Sequence, residues 1–277
     1  MAATETAAPA PTLVYRHALV TRVTHWINVL AISLLILSGL QIFNAHPALY
    51  IGQASDFGAP VLSMTASRDT GGGLTGRTTI LGATFDTTGV LGASSTAGRV
   101  EARGFPAWLT VPSYRDLATG RRWHFFFAWL FVINGAVYVA ASLVNRHLAR
   151  DLVPGWRELR GVGRSILDHA RLRFHHGRDY NVLQKLTYLG LILVVLPLIV
   201  MTGLTMSPGM DAALPWLVEL FGGRQTARTI HFICATLVVL FILIHLAMVL
   251  VSGVGNNLRS IVTGRYRIDE RETPHAS

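Results

Sequence analysis

The sequence predicts an all-α integral membrane protein, a bundle of four transmembrane helices with a long extracytoplasmic loop between helices one and two. Hydrophobic residues make up 51% of the 277-residue chain and charged residues 14%, a composition typical of membrane proteins. Four apolar runs are each long enough to cross a bilayer as a helix: 23–43, 123–144, 183–206 and 229–251. The last run also contains two histidines, which are costly in lipid and therefore indicate a function.

The amino-terminal segment 1–12 is rich in Ala, Thr and Pro, and we expect it to be a disordered tail. It lacks the basic start and small-residue cleavage site of a signal peptide, so the first apolar run should remain in the protein as helix one. The membrane domain is then expected to span 13–252, and the polar residues 253–277 to form a tail.

The connection between helices one and two, 44–122, is long and rich in Gly and Thr. A structureless loop of this length is uncommon unless it has a function or local order. Segments of Thr, Ile and Val separated by glycines predict one or two short hairpins, with a disordered insert as the alternative. We interpret this connection as a lid or a docking surface.

The connection between helices two and three, 146–182, is basic. Apolar residues recur at roughly helical spacing within 151–178, which predicts an amphipathic segment on the inner membrane face. Helix three contains Pro197, which should bend it. A further short helix is predicted between Pro215 and Phe221, before helix four.

The net charge of +9 is distributed in a way that indicates membrane topology rather than nucleic-acid binding. Of the 24 Lys and Arg residues, 15 lie in the amino-terminal tail, in 146–185 and in the carboxy-terminal tail, against 9 in the other two connections. The positive-inside rule therefore places both termini and the middle connection in the cytoplasm. The single cysteine, Cys234, excludes an intrachain disulfide, a four-cysteine iron–sulfur cluster and covalent haem attachment through C-x-x-C-H.

Histidines at matching depths of the helices predict two haem sites. His231 and His245 are 14 residues apart, which on an α-helix is a rise of about 21 Å and brings both side chains to within roughly 40° of one face. Because successive helices run in opposite directions, His25 is level with His245 at the inner side, and His124 is level with His231 at the outer side. Each pair can hold the iron of one b-type haem, and two histidine ligands leave no open position, which favours electron transfer. An interhelical hydrogen bond is the alternative role for each histidine.

An arginine precedes three of these histidines by three residues, at Arg22, Arg121 and Arg228. Each lies one helical turn nearer the membrane surface, where haem propionates would emerge, and guanidinium groups pair well with carboxylates. We predict that these arginines bind the cofactor together with the histidines. His245 has no such arginine, and arginine also marks the ends of membrane helices in general.

Three motifs together resemble those of a known family. They are R-x-x-H-W at Arg22, His25 and Trp26, R-R-W-H at 121–124, and the His-x13-His spacing of helix four. The chain resembles the bacterial di-haem cytochrome b subunits of hydrogenase, formate dehydrogenase and thiosulfate reductase type. Two further stretches, N-A-H-P-A-L-Y-I-G at 44–52 and F-P-A-W at 105–108, are most similar to the thiosulfate-reductase-type subunits.

The resemblance implies that helix four ligates both haems and that a quinone is the substrate. It also implies a location in the bacterial cytoplasmic membrane and a separate catalytic redox subunit as partner, often a molybdopterin or metal enzyme. We therefore expect a subunit that relays electrons between the quinone pool and that partner. The quinone could bind at the inner end near His25 and His147 or at the outer end near His46.

Two other functions are compatible with the sequence. One is a self-sufficient, quinone-linked superoxide oxidase, in which Arg121, Arg122 and Arg228 would form a cationic outer pocket that steers superoxide. The other is a non-redox membrane anchor or transporter, in which the histidines pair with one another or relay protons. The second alternative leaves the matching depths of the histidines without explanation.

Overall fold

The computed structural model describes residues 12–146, 153–170 and 182–268. Within them the chain is mostly helical, and most of its strands lie between the first two long helices. The helices are α1 (Leu19–Phe43), α2 (Leu117–Val144), α3 (Trp156–Arg160), α4 (Val162–Ala170), α5 (Val182–Gly190), α6 (Leu196–Thr205), α7 (Pro208–Ala213), α8 (Pro215–Leu220), α9 (Arg224–Val251) and α10 (Val254–Thr263).

Four helical stretches are long and apolar enough to cross a membrane, as the sequence predicted: α1, α2, the α5 to α6 stretch Val182–Thr205, and α9. Three of them begin four to six residues before the apolar runs, α1 at Leu19 rather than 23, α2 at Leu117 rather than 123, and α9 at Arg224 rather than 229. Arg and Gln are good helix formers, so each helix continues past its apolar part into polar sequence.

The third membrane-spanning stretch is interrupted in its middle. A π-helical turn, Leu191–Val195, separates α5 from α6, and Pro197 follows it at the second position of α6. Proline has no backbone N–H to donate, so the regular hydrogen-bond pattern cannot continue through it. The irregularity therefore lies where the sequence predicted a bend. The short helix predicted before helix four is confirmed as α8.

The chain packs as two compact units, which we name from their place in the sequence. The central unit comprises Ile27–Gly135 and Leu191–Val239, and the terminal unit comprises the other residues that the structure describes. Side chains of α1, α2 and α6 form the helical core of the central unit: Ala31, Phe127, Phe131, Leu196 and Val200.

The connection between α1 and α2 is built mainly from strands. The strands of the chain are β1 (Thr12–Tyr15), β2 (Ala48–Leu49), β3 (Leu62–Arg68), β4 (Leu74–Ile80), β5 (Ala83–Asp86), β6 (Gly92–Thr96), β7 (Arg99–Arg103) and β8 (Arg265–Ile268). Strands β2 to β5 form one antiparallel sheet in that order, and β6 and β7 form a separate hairpin.

The prediction of an all-α protein is therefore wrong for the connection between α1 and α2. The hairpins that were predicted within this connection are present. In β3 and β4 the pairing runs from Leu62 opposite Ile80 to Arg68 opposite Leu74. Thr and Ser are common in these strands, and β-branched side chains favour extended backbone. Glycines with positive φ, such as Gly72 and Gly82, provide the turns.

Aromatic packing fixes this β segment, residues 44–116, to the ends of α1 and α9. The ring centre of Phe43 lies 5.7 Å from that of Phe105 and 4.8 Å from that of Phe232. Beside these rings, the Asn44 side chain donates to the carbonyl of Phe105 at 3.1 Å and accepts from its N–H at 2.6 Å. The segment is thus held to the membrane helices by both apolar and polar contacts.

A buried arginine makes a second attachment of the β segment to α1. Arg103 is only 3% exposed. Its Nε donates to the carbonyl of Phe105 at 3.2 Å, and its Nη1 donates to that of Ser113 at 2.9 Å. Its Nη2 donates to Gln41 Oε1 at 3.1 Å and to Thr110 Oγ1 at 3.0 Å. The guanidinium group therefore connects three parts of the segment with α1.

Two glycines let the β segment approach the start of α9. A Cβ atom on Gly223 would lie 2.5 Å from the carbonyl carbon of Gly52, and Gly223 has a φ of +116°, which disfavours any other residue. Next to this contact, Thr226 Oγ1 accepts from the Gly52 N–H at 2.7 Å. A side chain at position 223 would separate the two backbones.

In the terminal unit, the two ends of the described chain pair with each other. Strands β1 and β8 are antiparallel, with Thr12 opposite Ile268. The predicted tail 253–277 therefore contains a helix, α10, and a strand, and Thr12 belongs to a strand rather than to a disordered tail. Residues 1–11 and 269–277 lie outside the described residues, so the expectation of disorder there stays a prediction.

The basic connection 146–182 contains α3 and α4 in its described part, and an ion pair ties α3 to α5. Lys185 Nζ lies 2.9 Å from Glu158 Oε1, and the Lys185 side chain is 10% exposed against 40% for Glu158. The hydrogen bond from Lys185, followed by one from the Gly155 backbone, lowers the pKa of the Glu158 carboxyl group. His147 lies outside the described residues.

Candidate functional site

Two histidines from different helices face each other in the central unit. His124 of α2 and His231 of α9 are half-buried, and their ring centres are 6.3 Å apart with 61° between the ring planes. The sequence predicted this pair from the depth of each residue along its membrane helix alone, and the structure places the two rings next to each other.

The hydrogen bonds of His231 fix which ring nitrogen is protonated. Its Nδ1 lies 2.9 Å from the carbonyl oxygen of Ile199 and 3.2 Å from Thr202 Oγ1, both on α6. Because a carbonyl oxygen only accepts hydrogen bonds, Nδ1 must carry the proton. In the neutral ring Nε2 is then unprotonated, which is the form that binds a metal.

His124 is held in a similar way by α1. Its Nδ1 lies 3.1 Å from Ser38 Oγ. Ser38 Oγ is 2.5 Å from the carbonyl oxygen of Leu34, to which it donates, so the hydroxyl group accepts from the histidine. Nε2 of His124 is therefore also the unprotonated nitrogen.

The second predicted pair, His25 of α1 and His245 of α9, lies in the terminal unit. Trp26 packs edge-on against His25, with ring centres 5.4 Å apart, and Phe241 stacks on His245 at 5.8 Å and 15°. Nδ1 of His25 is buried, and no hydrogen-bond partner for it exists in the described part of the chain.

The arginines that precede His25 and His124 have different surroundings. Arg22 donates from Nη1 to the carbonyl of Val262 at 2.7 Å, and its Nε is buried without a hydrogen-bond partner among the described residues. The guanidinium of Arg121 lies 5.6 Å from the ring centre of Phe125. Arg22 thus has an unused donor for a ligand carboxylate, whereas Arg121 stacks on its own helix.

Arg228, three residues before His231, contacts the β segment. Its Nη2 donates to the carbonyl of His46 at 2.6 Å, and its guanidinium lies 5.5 Å from the ring centre of Phe43. The His46 ring stacks on Tyr50, and its Nε2 is 3.1 Å from the Tyr50 hydroxyl. Burial, and secondarily the charge of Arg228, lower the pKa of His46.

Residues 16–264 match the family model described as prokaryotic cytochrome b561. The chain belongs to the prokaryotic cytochrome b561 family. It is also similar to the putative protein-methionine-sulfoxide reductase subunit YedZ1 of Azospira oryzae, with 28% identity over 230 residues, which cover 82% of this chain and 86% of that protein. No solved structure matches the chain.

Membership of the cytochrome b561 family makes the protein a membrane haem protein, with b-type haem as the cofactor that the family implies. The resemblance to bacterial cytochrome b proteins is thereby confirmed. The closer similarity to thiosulfate-reductase-type subunits stays a prediction.

The geometry of His124 and His231 fits the axial positions of such a haem. An imidazole nitrogen binds a metal at about 2 Å, so two rings on opposite sides of one iron have centres about 6 Å apart. The observed separation is 6.3 Å. In addition, a metal-binding histidine usually donates its second ring N–H to a carbonyl or similar acceptor, as both residues do.

Sequence reasoning missed the polar residues that support these histidines in the cytochrome b561 fold. For helix three the sequence predicted only a bend at Pro197, yet Ile199 and Thr202 bind the ring of His231. Another missed contact is between Asn134 and Asn28, where Nδ2 donates to Oδ1 at 2.7 Å. Polar residues within the apolar runs were the available signal, but the sequence does not show which of them face a histidine.

Proposed function

We propose that the protein is a membrane di-haem b-type cytochrome subunit that relays electrons between the quinone pool and a partner oxidoreductase. The observation that carries this proposal is the pair His124 and His231, with ring centres 6.3 Å apart and each Nδ1 bound by a neighbouring helix. A b-type haem with two histidine ligands supplies one-electron transfer without an open coordination position.

The same distance argues against histidines that simply bind each other. A direct N–H···N hydrogen bond of about 3 Å would bring the ring centres to about 5 Å. At 6.3 Å the ring centres are farther apart than such a bond allows. In addition, the Nδ1 protons are used by the acceptors on α1 and α6, so neither ring has a second N–H to donate when it is neutral.

For the second haem we propose His25 and His245 as ligands. Support comes from their place in the same unit and from the aromatic contacts of both rings. Arg22, with its buried and unpartnered Nε, is suited to a propionate of this haem. Arg121 and Arg228 are assigned to the propionates of the other haem because each lies one turn before a ligand.

The proposed topology has the β segment outside the cytoplasm and both termini with the 146–182 connection inside it. The excess of Lys and Arg in the terminal segments and in that connection supports this orientation. The whole region 13–252 acts as one haem-binding domain, and the β segment is the surface available to a partner on the outer side.

The similarity to a protein named as a reductase subunit supports a partner that consumes electrons. Electrons would then flow from a quinol, which releases two electrons and two protons on oxidation, through this chain to a separate catalytic subunit with a molybdopterin or other metal cofactor. The chain would not itself carry the site at which the final substrate is reduced.

Quinol reduction of the purified chain tests the proposal. The wild-type protein and a Thr236→Val control are mixed with a short-chain quinol, and the absorbance of reduced b-type haem is followed. Thr236 lies on α9, and in the described part of the chain its hydroxyl donates to the Phe232 carbonyl of the same helix alone. The haem of both proteins should therefore be reduced by the quinol. His231→Ala should lose part of the signal. Haem that dithionite reduces but quinol does not would contradict the relay.

A further inference from the structure

We infer that two equivalent cradles, Ser38–Gly39 of α1 and Thr202–Gly203 of α6, position the two histidine ligands of one haem and set its reduction potential. Each cradle pairs a hydroxyl group with the glycine that follows it. The inference depends on the proposed ligation of haem iron by His124 and His231. The apolar pattern of the membrane helices does not distinguish these four residues from the other small residues within them.

The hydroxyl groups of the two cradles have matching contacts. Ser38 Oγ lies 3.1 Å from His124 Nδ1, and Thr202 Oγ1 lies 3.2 Å from His231 Nδ1. Each hydroxyl donates to the carbonyl four residues earlier in its helix, at 2.5 Å for Ser38 and 2.7 Å for Thr202. Both residues are fully buried. With its own proton occupied, each hydroxyl can only accept from the histidine.

The backbone adds a second matching contact. Each hydroxyl also lies near the carbonyl oxygen three residues earlier, at 3.3 Å for Ser38 and Leu35 and at 3.1 Å for Thr202 and Ile199. The Ile199 carbonyl oxygen is in addition 2.9 Å from His231 Nδ1. The same position of the helical turn is therefore used in α1 and in α6.

The glycines complete the match by allowing close approach of the rings. A Cβ atom on Gly39 would lie 3.3 Å from Cε1 of His124, and one on Gly203 would lie 3.3 Å from Cε1 of His231. By contrast, a Cβ atom on Gly135 of α2 would meet nothing within 4 Å. Gly39 and Gly203 thus leave the space that each ring occupies, and an added methyl group would push on the ring.

This arrangement controls the ligands in two ways. The acceptors at Nδ1 hold the proton on that nitrogen, so Nε2 is the nitrogen left to bind iron, and they would increase the basicity of the ring. A more basic ligand favours ferric over ferrous iron and so lowers the reduction potential. The glycines fix the ring planes, which are 61° apart.

The hydroxyl groups are tested with Ser38→Ala and Thr202→Val against two matched controls. Among the described residues, the hydroxyls of Ser33 on α1 and Thr236 on α9 each bond only a carbonyl of their own helix, at 2.7 Å and 2.9 Å. Ser33→Ala and Thr236→Val therefore remove the same atoms without removing a hydrogen bond to a histidine. We expect a higher reduction potential in the two test variants. If the affinity of the histidine for ferric iron changes tenfold relative to its affinity for ferrous iron, the reduction potential of this one-electron couple shifts by about 59 mV. We expect shifts up to that size.

A conservative variant separates positioning from general stability. Thr202→Ser keeps the acceptor and should retain the wild-type potential even where Thr202→Val does not. Gly39→Ala and Gly203→Ala should change the low-spin ferric EPR signal, which reports ring orientation, while Gly135→Ala should not. The glycine variants keep the test informative if Thr202→Val does not fold.

Failure of the cradles differs from failure of the proposed function. Wild-type protein without haem would refute the proposed ligation itself. Haem-loaded Ser38→Ala and Thr202→Val with the potentials of Ser33→Ala and Thr236→Val would refute the cradles alone, as would an unchanged EPR signal in both glycine variants.

Discussion

Replacing Arg103 by Met should release the β segment from the membrane helices. Gln41 as a whole residue is 3% exposed, and among the described residues its amide oxygen accepts from Arg103 alone. The substitution therefore leaves that oxygen unsatisfied in a buried side chain, at a cost of about 1–3 kcal/mol. Loss of the bond to Thr110 adds about 1 kcal/mol. The carbonyl of Phe105 still accepts from Asn44, and Ser113 is exposed to water, so these two acceptors add little.

The total of about 3 kcal/mol corresponds to a roughly hundredfold rise in the open population of the segment. Amide hydrogen exchange of β3, β4 and β7 in detergent measures that population. Arg99→Met is the matched control, since Arg99 lies on the same strand, β7, and is exposed. Equal exchange rates in Arg103→Met and Arg99→Met would refute the structural role assigned to the buried guanidinium group.

Three further outcomes follow from the structure. Glu158→Gln should lower the free energy of unfolding by only about 0.2–1 kcal/mol, because the Glu158 side chain is 40% exposed. The ionised carboxylate stabilises the folded protein above its ordinary pKa of 4.5, and this contribution is lost as the pH falls through its lowered folded-state pKa. The unfolding temperature of the variant should therefore depend less on pH in that range. The pKa of His46 is lower in the folded protein than in the unfolded chain, so as the pH falls below 6.5 the unfolded chain binds a proton at this histidine before the folded protein does. The free energy of unfolding should therefore decrease in that range, and His46→Gln should make the decrease smaller. Asn134→Ala should lower the unfolding temperature measured in detergent, because it removes the hydrogen bond to Asn28, worth about 0.6–1.7 kcal/mol. A decrease no larger than that caused by Gly135→Ala would contradict this role of Asn134.

The membrane helices were predictable because their apolar runs are long and almost free of charge, and length alone separates such runs from buried helices. The pairing of His124 with His231 was also accessible, since helix direction and residue number fix depth. The early starts of α2 and α9 were not, because Thr119, Arg121 and Gln225 are polar and resemble loop residues in a hydropathy profile.

The β segment and the cradles show the limit of that reasoning. Strands β3 to β5 consist largely of small and polar residues, so apolar alternation marks them poorly, and the attachment through Arg103 depends on contacts 62 residues apart in sequence. Ser38 and Thr202 each lie in an apolar run, where a hydroxyl commonly bonds its own helix. Only the rotation of α1 and α6 about their axes brings these hydroxyls to a histidine.

Haem content per polypeptide, measured on purified wild-type protein and on single histidine variants, tests the central claim most directly. Two non-covalent b-type haems are expected in the wild type and in a His46→Ala control, whose site faces Tyr50 rather than another histidine. His231→Ala and His124→Ala should each retain one haem, and both should lose the same one by spectrum and potential. His25→Ala and His245→Ala should lose the other. A full haem complement in His231→Ala would contradict the assignment of His124 and His231 to one iron.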